Sequence, residues 1–265
     1  VVAAANPPDI VAGGWELSPP LRNRFVHIQW ELSGQSYLQA LQEGFAQPQL
    51  PAIDPKEHQE AESYWRMLVA AFLRRNPNLA RTSPSDEEHA FASPRTWDYA
   101  IALMASCDLL GKAPKPGQTG SSVFLNLVQG CIGRGATVAF TQFLQNIRLP
   151  DPDEVLDGKT KVAVSELRDD ELYVLFSAMA AALVRRRQDS HFLDAMLTFL
   201  ELARQVCVDG KADTIFVPMK QVATGKLLQD AVNAARETNQ LAKLKKALHQ
   251  TFEETPLQDF VRVLV

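Results

Sequence analysis

Nowhere in the 265 residues do 18 apolar residues run together, so no transmembrane helix is expected. No charged leader followed by a short apolar stretch opens the chain, which gives no secretory signal and makes a soluble, cytoplasmic protein the expectation. Cysteine is scarce: Cys107, Cys131 and Cys207 lie far apart inside apolar helical patterns, which suggests neither a disulfide framework nor a zinc site and predicts buried free thiols. A basic surplus is missing too. With 27 Lys and Arg against 31 Asp and Glu, the net charge is −4 and offers no field for nucleic acid. No HExxH occurs; His58 and Glu62 share a helix face, read as solvated, and a metal hydrolase is set aside. Finally, no strand-to-helix junction carries GxxxxGK(S/T). The nearest string, Ala223 to Leu228, has no glycine five positions before Gly225 and puts Leu227 where a metal-binding hydroxyl would stand.

What the chain does have begins at its amino end. Val1 to Ala5 are small or β-branched, the run stops at Asn6, and Pro7 and Pro8 follow, the pattern of a buried strand ending on a polar residue. A loop with Gly13 and Gly14 leads to a proline-braced segment ending in Arg22 and Arg24, and Phe25 to Trp30 read as a second strand. In open α/β sheets ligands sit beyond the carboxyl ends of strands, where Asn6 would stand. Further on, Ser93, Pro94 and Arg95 form a helix start: serine as N-cap, proline at the first position where its missing N–H costs nothing, and arginine second. The helix macrodipole makes that a poor place for a cation unless an anion binds there. Pairing of Arg95 with Asp98 or a loop carboxylate is the simpler alternative, worth about 0 to 1 kcal/mol if exposed.

The succession AAANPP, GGWELSPPLRNRF and SPRTW resembles the second half of a MoxR-like AAA+ ATPase over roughly residues 1 to 155, where LPDPDEVL also looks like the family's segment after its lid. The resemblance implies that Asn6 is sensor 1, that Arg24 of the NRF element is the arginine finger, with Arg22 its rival, and that Arg95 is sensor 2. It also implies ATP and Mg2+ as cofactors of a longer parent, a homo-oligomeric, hexameric ring, and a VWA-domain partner. Neither the phosphate loop nor an acidic strand precedes these elements. The chain is therefore expected to be the carboxy-terminal piece of such an ATPase, inactive by itself, with no cofactor held by motifs within it. A non-catalytic helical scaffold with a degenerate ATPase core is the competing expectation.

The expected fold is mainly α with a small α/β remnant: residues 1–47 ending an AAA+ core, 48–148 a helical lid, and 149–265 a further helical region. Ser33 or Ser36 caps a helix through Phe45 with Tyr37, Leu38 and Leu41 on its apolar face. Trp65, Leu68, Val69 and Phe72 form a stripe at i, i+3, i+4 and i+7, as do Trp97, Ala100, Ile101 and Met104. Asp86, Glu87 and Glu88 read as a solvated run, and Gly133 and Gly135 around Arg134 as close helix packing or a kink rather than a phosphate cradle. Later stripes are Leu172, Leu175, Phe176, Met179 and Leu183, then Phe192, Met196, Phe199 and Leu200. Acidic residues crowd the start of the first of these helices and Arg185 to Arg187 its end, which suits the dipole without further partners. Thr214 to Pro218 read as extended, and Gln221 to Phe252 as a final helical region.

Overall fold

A computed structural model describes residues 2–4, 17–30, 33–45, 47, 49–85, 88–114, 117–147, 149–224, 226–252 and 254–257. Among them no strand forms, and the fold is mainly α. Helices follow in the order α1 (Pro19–Arg22), α2 (Gly34–Glu43), α3 (Pro55–Arg75), α4 (Pro94–Leu109), α5 (Ser122–Ile132), α6 (Arg134–Asn146), α7 (Pro152–Leu156), α8 (Asp169–Arg185), α9 (Phe192–Val208), α10 (Ala212–Thr224), α11 (Lys226–Glu237) and α12 (Leu241–Phe252). They build two compact units, Val1–Val69 with Asn76–Leu144, and Ala70–Arg75 with Gln145–Val265.

In the first unit the apolar stripes are buried as their spacing requires. Trp65 of α3 meets Phe124 of α5 at 5.5 Å between ring centroids, and Trp97 of α4 meets Phe140 of α6 edge-on at 5.7 Å. Each indole N–H finds an acceptor, Trp65 on the Asp108 carboxylate at 3.3 Å and Trp97 on the Leu79 carbonyl at 2.9 Å, so neither ring leaves a buried donor unpaired. The segment expected to be a strand, Phe25 to Trp30, forms none: it opens on a bend at Phe25 and has no regular structure after it. His27 N–H donates to the Gly130 carbonyl at 2.8 Å, and Ile28 and Trp30 are exposed. A strand needs a neighbouring strand to take its backbone groups, and among the described residues there is none. Helix α2 forms with Ser33 as its N-cap, yet Tyr37, Leu38 and Leu41 remain exposed.

The second unit is a helical core in which α10 packs on α8 and α9, and α12 on α9. Phe176 and Phe199 meet edge-on at 5.4 Å, surrounded by Leu172, Met179, Met196 and Leu200. The Thr214–Pro218 segment is not extended: Pro218 lies inside α10. Ile215, Met219 and Val222 form an i, i+4, i+7 stripe, all buried, and that burial outweighs the backbone bond the proline removes. The expected final helical region breaks after Glu237, with Asn239 at φ 57 separating α11 from α12. The arginine run also differs from its reading. Arg186 contacts Asp153 at 2.8 Å and Asp157 at 2.5 Å, Arg185 contacts Asp153 at 3.1 Å, and Arg187 reaches Asp230 at 3.4 Å. At the other end of α8, Asp170 accepts from Arg75 at 2.8 Å, and Arg74 lies 4.4 Å above the Tyr173 ring. Sequence distance hid these pairs, since the partners of Arg185 and Arg186 lie 32 and 29 positions away.

The three cysteines are free and buried; burial pushes the Cys131 thiol up to about 12 and raises those of Cys107 and Cys207. Hydrogen bonds from Arg186 and then Lys159 lower the Asp157 carboxyl from its ordinary 3.8 to about 2. A carboxylate whose folded value is depressed adds stability above its unfolded value and loses it as pH falls through the folded one. Asp157→Asn is therefore expected to change the urea midpoint slightly at pH 7 and by much less near pH 2, followed by circular dichroism. A difference between the two proteins that stays constant from pH 7 to 2 would refute the pairing.

Candidate functional site

The elements that carry Arg24 and Arg95 meet in the first unit. Helix α1 is one turn long, opened by Pro19 and closed at Asn23, whose N–H returns to the Pro19 carbonyl at 3.0 Å. Arg22, in its last position, is 7% exposed and donates through Nη1 to the Ser85 carbonyl at 2.9 Å and the Glu88 carbonyl at 3.4 Å. Its Nε has no hydrogen-bond partner. The next arginine, Arg24, points the other way in its exposure: it is open to solvent and makes no ion pair with a described residue. Of the two rivals, Arg22 is spent on holding the loop that precedes α4, while Arg24 is free to reach another surface.

After Arg24 the chain is pinned again. The His27 ring faces the Arg22 carbonyl at 2.9 Å through Nε2, and because a carbonyl only accepts, that nitrogen carries the proton. The ring stacks on His89 at 5.7 Å and 29°. His27 also sets the identity of residue 130: a side-chain carbon on Gly130 would collide with the His27 carbonyl oxygen. Gly133, at φ 80, separates α5 from α6 and lies close under the Ala90 carbonyl. Glu88 accepts from the Arg134 N–H at 2.9 Å, so this carboxylate caps the start of α6 instead of lying in a solvated run. Asp86 and Glu87 lie outside the described residues.

Helix α4 begins as its sequence directs. Ser93 Oγ accepts from the Thr96 N–H at 3.2 Å, and the Thr96 hydroxyl accepts from the Ser93 N–H at 2.8 Å, a reciprocal capping box with Pro94 at the first position. The same serine hydroxyl donates to Asn23 Oδ1 at 2.8 Å, across 70 positions of sequence. The residue before Arg24 is thus bonded to the residue two before Arg95. Arg95 is exposed and makes no ion pair with Asp98 or with any other described residue. Asn6 lies outside the described residues.

The arrangement suits an anion. At the start of α4 the Arg95 guanidinium and the partial positive charge of the helix end lie together with no carboxylate of the described residues to offset them. Among the described residues no three His, Cys, Asp or Glu side chains are placed to hold a metal. Elsewhere in the unit His58 Nε2 lies 3.0 Å from Ser106 Oγ and its Nδ1 3.5 Å from Glu62. That spacing resembles a nucleophile, base and orienting acid. Chemistry argues against it, because the Ser106 hydroxyl donates to the Ala102 carbonyl at 3.0 Å in the last turns of α4, where the helix dipole opposes developing negative charge. The sequence reading missed both Asn23 and Glu88. Asn23 stands inside the quoted NRF element, and that position was the available signal.

Separate roles for the two arginines give different stability losses. Arg22→Ala leaves two carbonyls without their donor and is expected to lower stability by about 1.5 to 3 kcal/mol. Arg24→Ala should stay within about 0.5 kcal/mol. All four tryptophans precede residue 98, so urea unfolding followed by tryptophan fluorescence reads the first unit directly. Equal losses for the two variants would contradict the assignment. Compared with protein-family models, curated proteins and solved structures, the chain matches none.

Proposed function

We propose that the chain is the carboxy-terminal portion of a MoxR-like AAA+ ATPase, in which ATP hydrolysis by a ring assembly drives remodelling or maturation of a partner protein. The observation that carries this reading is the Ser93–Asn23 bond: it joins the NRF and SPR elements, and both of their arginines are exposed and have no carboxylate partner among the described residues. An arginine finger must be free to enter a neighbouring subunit, which favours Arg24 over the buried Arg22. A sensor must face a phosphate, which suits Arg95 at a helix start. Asn6 would orient the attacking water or sense the terminal phosphate. Phosphoryl transfer is accelerated mainly by positioning and by neutralising charge, so a trans arginine contributes about 10³ to 10⁵ in rate. ATP and Mg2+ would be held chiefly by residues upstream of this chain, the ring would be a homo-hexamer in the cytoplasm, and a VWA-domain protein is the proposed partner.

A second reading, a non-catalytic interaction module built on a degenerate ATPase core, is favoured by the uncovered apolar face of α2, where Tyr37, Leu38 and Leu41 are 45%, 60% and 57% exposed.

The two readings separate in the polypeptide that joins this chain to its upstream sequence. Arg24→Ala is expected to keep the nucleotide Kd within about threefold by calorimetry while turnover falls by about 10³ or more. Arg95→Ala should weaken nucleotide binding itself. Loss of binding and turnover in equal measure on changing Arg24 would refute the finger role, and a wild-type protein that binds no nucleotide would favour the scaffold.

A further inference from the structure

Asn23 directly precedes Arg24, and Ser93 stands two residues before Arg95 at the cap of the same helix. Ser93 Oγ makes two bonds at once, accepting from Thr96 N–H at 3.2 Å and donating to Asn23 Oδ1 at 2.8 Å. The first bond fixes the start of α4, and with it the direction in which Arg95 leaves the helix. The second fixes the side chain of the residue that precedes Arg24. On the Asn23 side the backbone is held at both ends: Arg22 is anchored to the Ser85 and Glu88 carbonyls, and His27 N–H is bonded to the Gly130 carbonyl. Between those anchors Asn23 is, among the described residues, the one that reaches the start of α4 by a side-chain bond.

We propose that Asn23 and Ser93 form a positioning pair that couples Arg95, facing the nucleotide of its own subunit, to Arg24, facing that of the next. The inference rests on the ATPase reading and adds to it a route between adjacent sites. A phosphate that draws Arg95 and the first turn of α4 shifts Ser93, whose hydroxyl carries Asn23 and hence the backbone of Arg24. The element has two states, with the Ser93–Asn23 bond made or broken, and phosphate at one site biases it. One hydrogen bond sets the scale, so coupling through it is about two- to tenfold in the neighbour's turnover.

The test uses the assembled parent protein and ATP itself, with turnover measured against ATP concentration and binding by calorimetry. Asn23→Ala removes the acceptor. It is expected to leave the nucleotide Kd within about twofold, to reduce the Hill coefficient to about one, and to lower maximal turnover two- to tenfold. Asn23→Asp keeps an acceptor for the serine hydroxyl and should restore both values. If Asn23→Ala fails to assemble, Ser93→Gly serves instead: it removes the donor to Asn23 together with the acceptor for the Thr96 N–H, and glycine is itself a tolerated N-cap. Wild-type cooperativity retained in these variants, while Arg24→Ala still abolishes turnover, overturns the coupling and leaves the finger role standing. A non-cooperative wild type overturns the coupling as well. Full turnover in Arg24→Ala overturns the reading beneath it along with the coupling.

Discussion

A single hydroxyl group, that of Ser93, decides how the first unit is arranged around its arginines. As an N-cap it satisfies one of the donors that every helix leaves open at its start, and as a donor it ties that helix to a segment 70 positions earlier. Neither bond is strong alone. Together they polarise each other, because an oxygen that accepts from an N–H becomes a better donor through its own proton. Around this oxygen lie backbone contacts that exclude side chains, at Gly130 and Gly133, and a helix cap supplied by Glu88. The result is a small polar framework between α1, the loop before α4 and the α5–α6 turn, standing beside the aromatic core that Trp65, Trp97, Phe124 and Phe140 make.

The second unit is stabilised by different means. Its apolar stripes converge on Phe176 and Phe199, and ion pairs join several of its segments, as at Arg75 with Asp170 and Arg186 with Asp157. Such exposed pairs contribute little individually. Their value here is geometric: Arg185 and Arg186 hold the short helix α7 on α8, and without it Val155 and Leu156 would lose their place in the core.

Helical periodicity and capping chemistry were readable from sequence because both are local. The stripe of Trp65, Leu68, Val69 and Phe72 needed only its own spacing, and Ser93 with Pro94 needed only three neighbours. The departures have a common cause in distant partners. Pro218 argued locally for a break in the helix, and the buried row of Ile215, Met219 and Val222 overrode it. Phe25 to Trp30 had strand composition but no strand to pair with among the described residues. Arg22 and Arg24 could not be told apart, since what separates them is a carbonyl at Ser85 and another at Glu88. For the candidate site, sequence identified the two elements and their arginines, and the bond joining them is visible only in three dimensions.

How charge is distributed over the arginines bears on what the first unit is for. Seen against the described residues, Arg66, Arg75, Arg168, Arg185, Arg186, Arg187 and Arg204 each have a carboxylate within 4.0 Å, and Arg74 has an aromatic face. Arg22 has two backbone carbonyls instead of a carboxylate; Arg24, Arg81, Arg95 and Arg134 have neither and belong to the first unit, whereas among the described residues of the second Arg236 alone is in that position. A protein with 31 acidic residues had carboxylates to place beside them. Two of these cations, Arg95 and Arg134, occupy the first turn of a helix, where the macrodipole works against a positive charge. At α6 the backbone donor is answered by Glu88. At α4 the cap is neutral, and no carboxylate of the described residues stands beside Arg95. An anion with several oxygens, as a phosphate has, would satisfy both the guanidinium and the helix end in one contact, and the bond from Ser93 to Asn23 places Arg24 within the same polar framework.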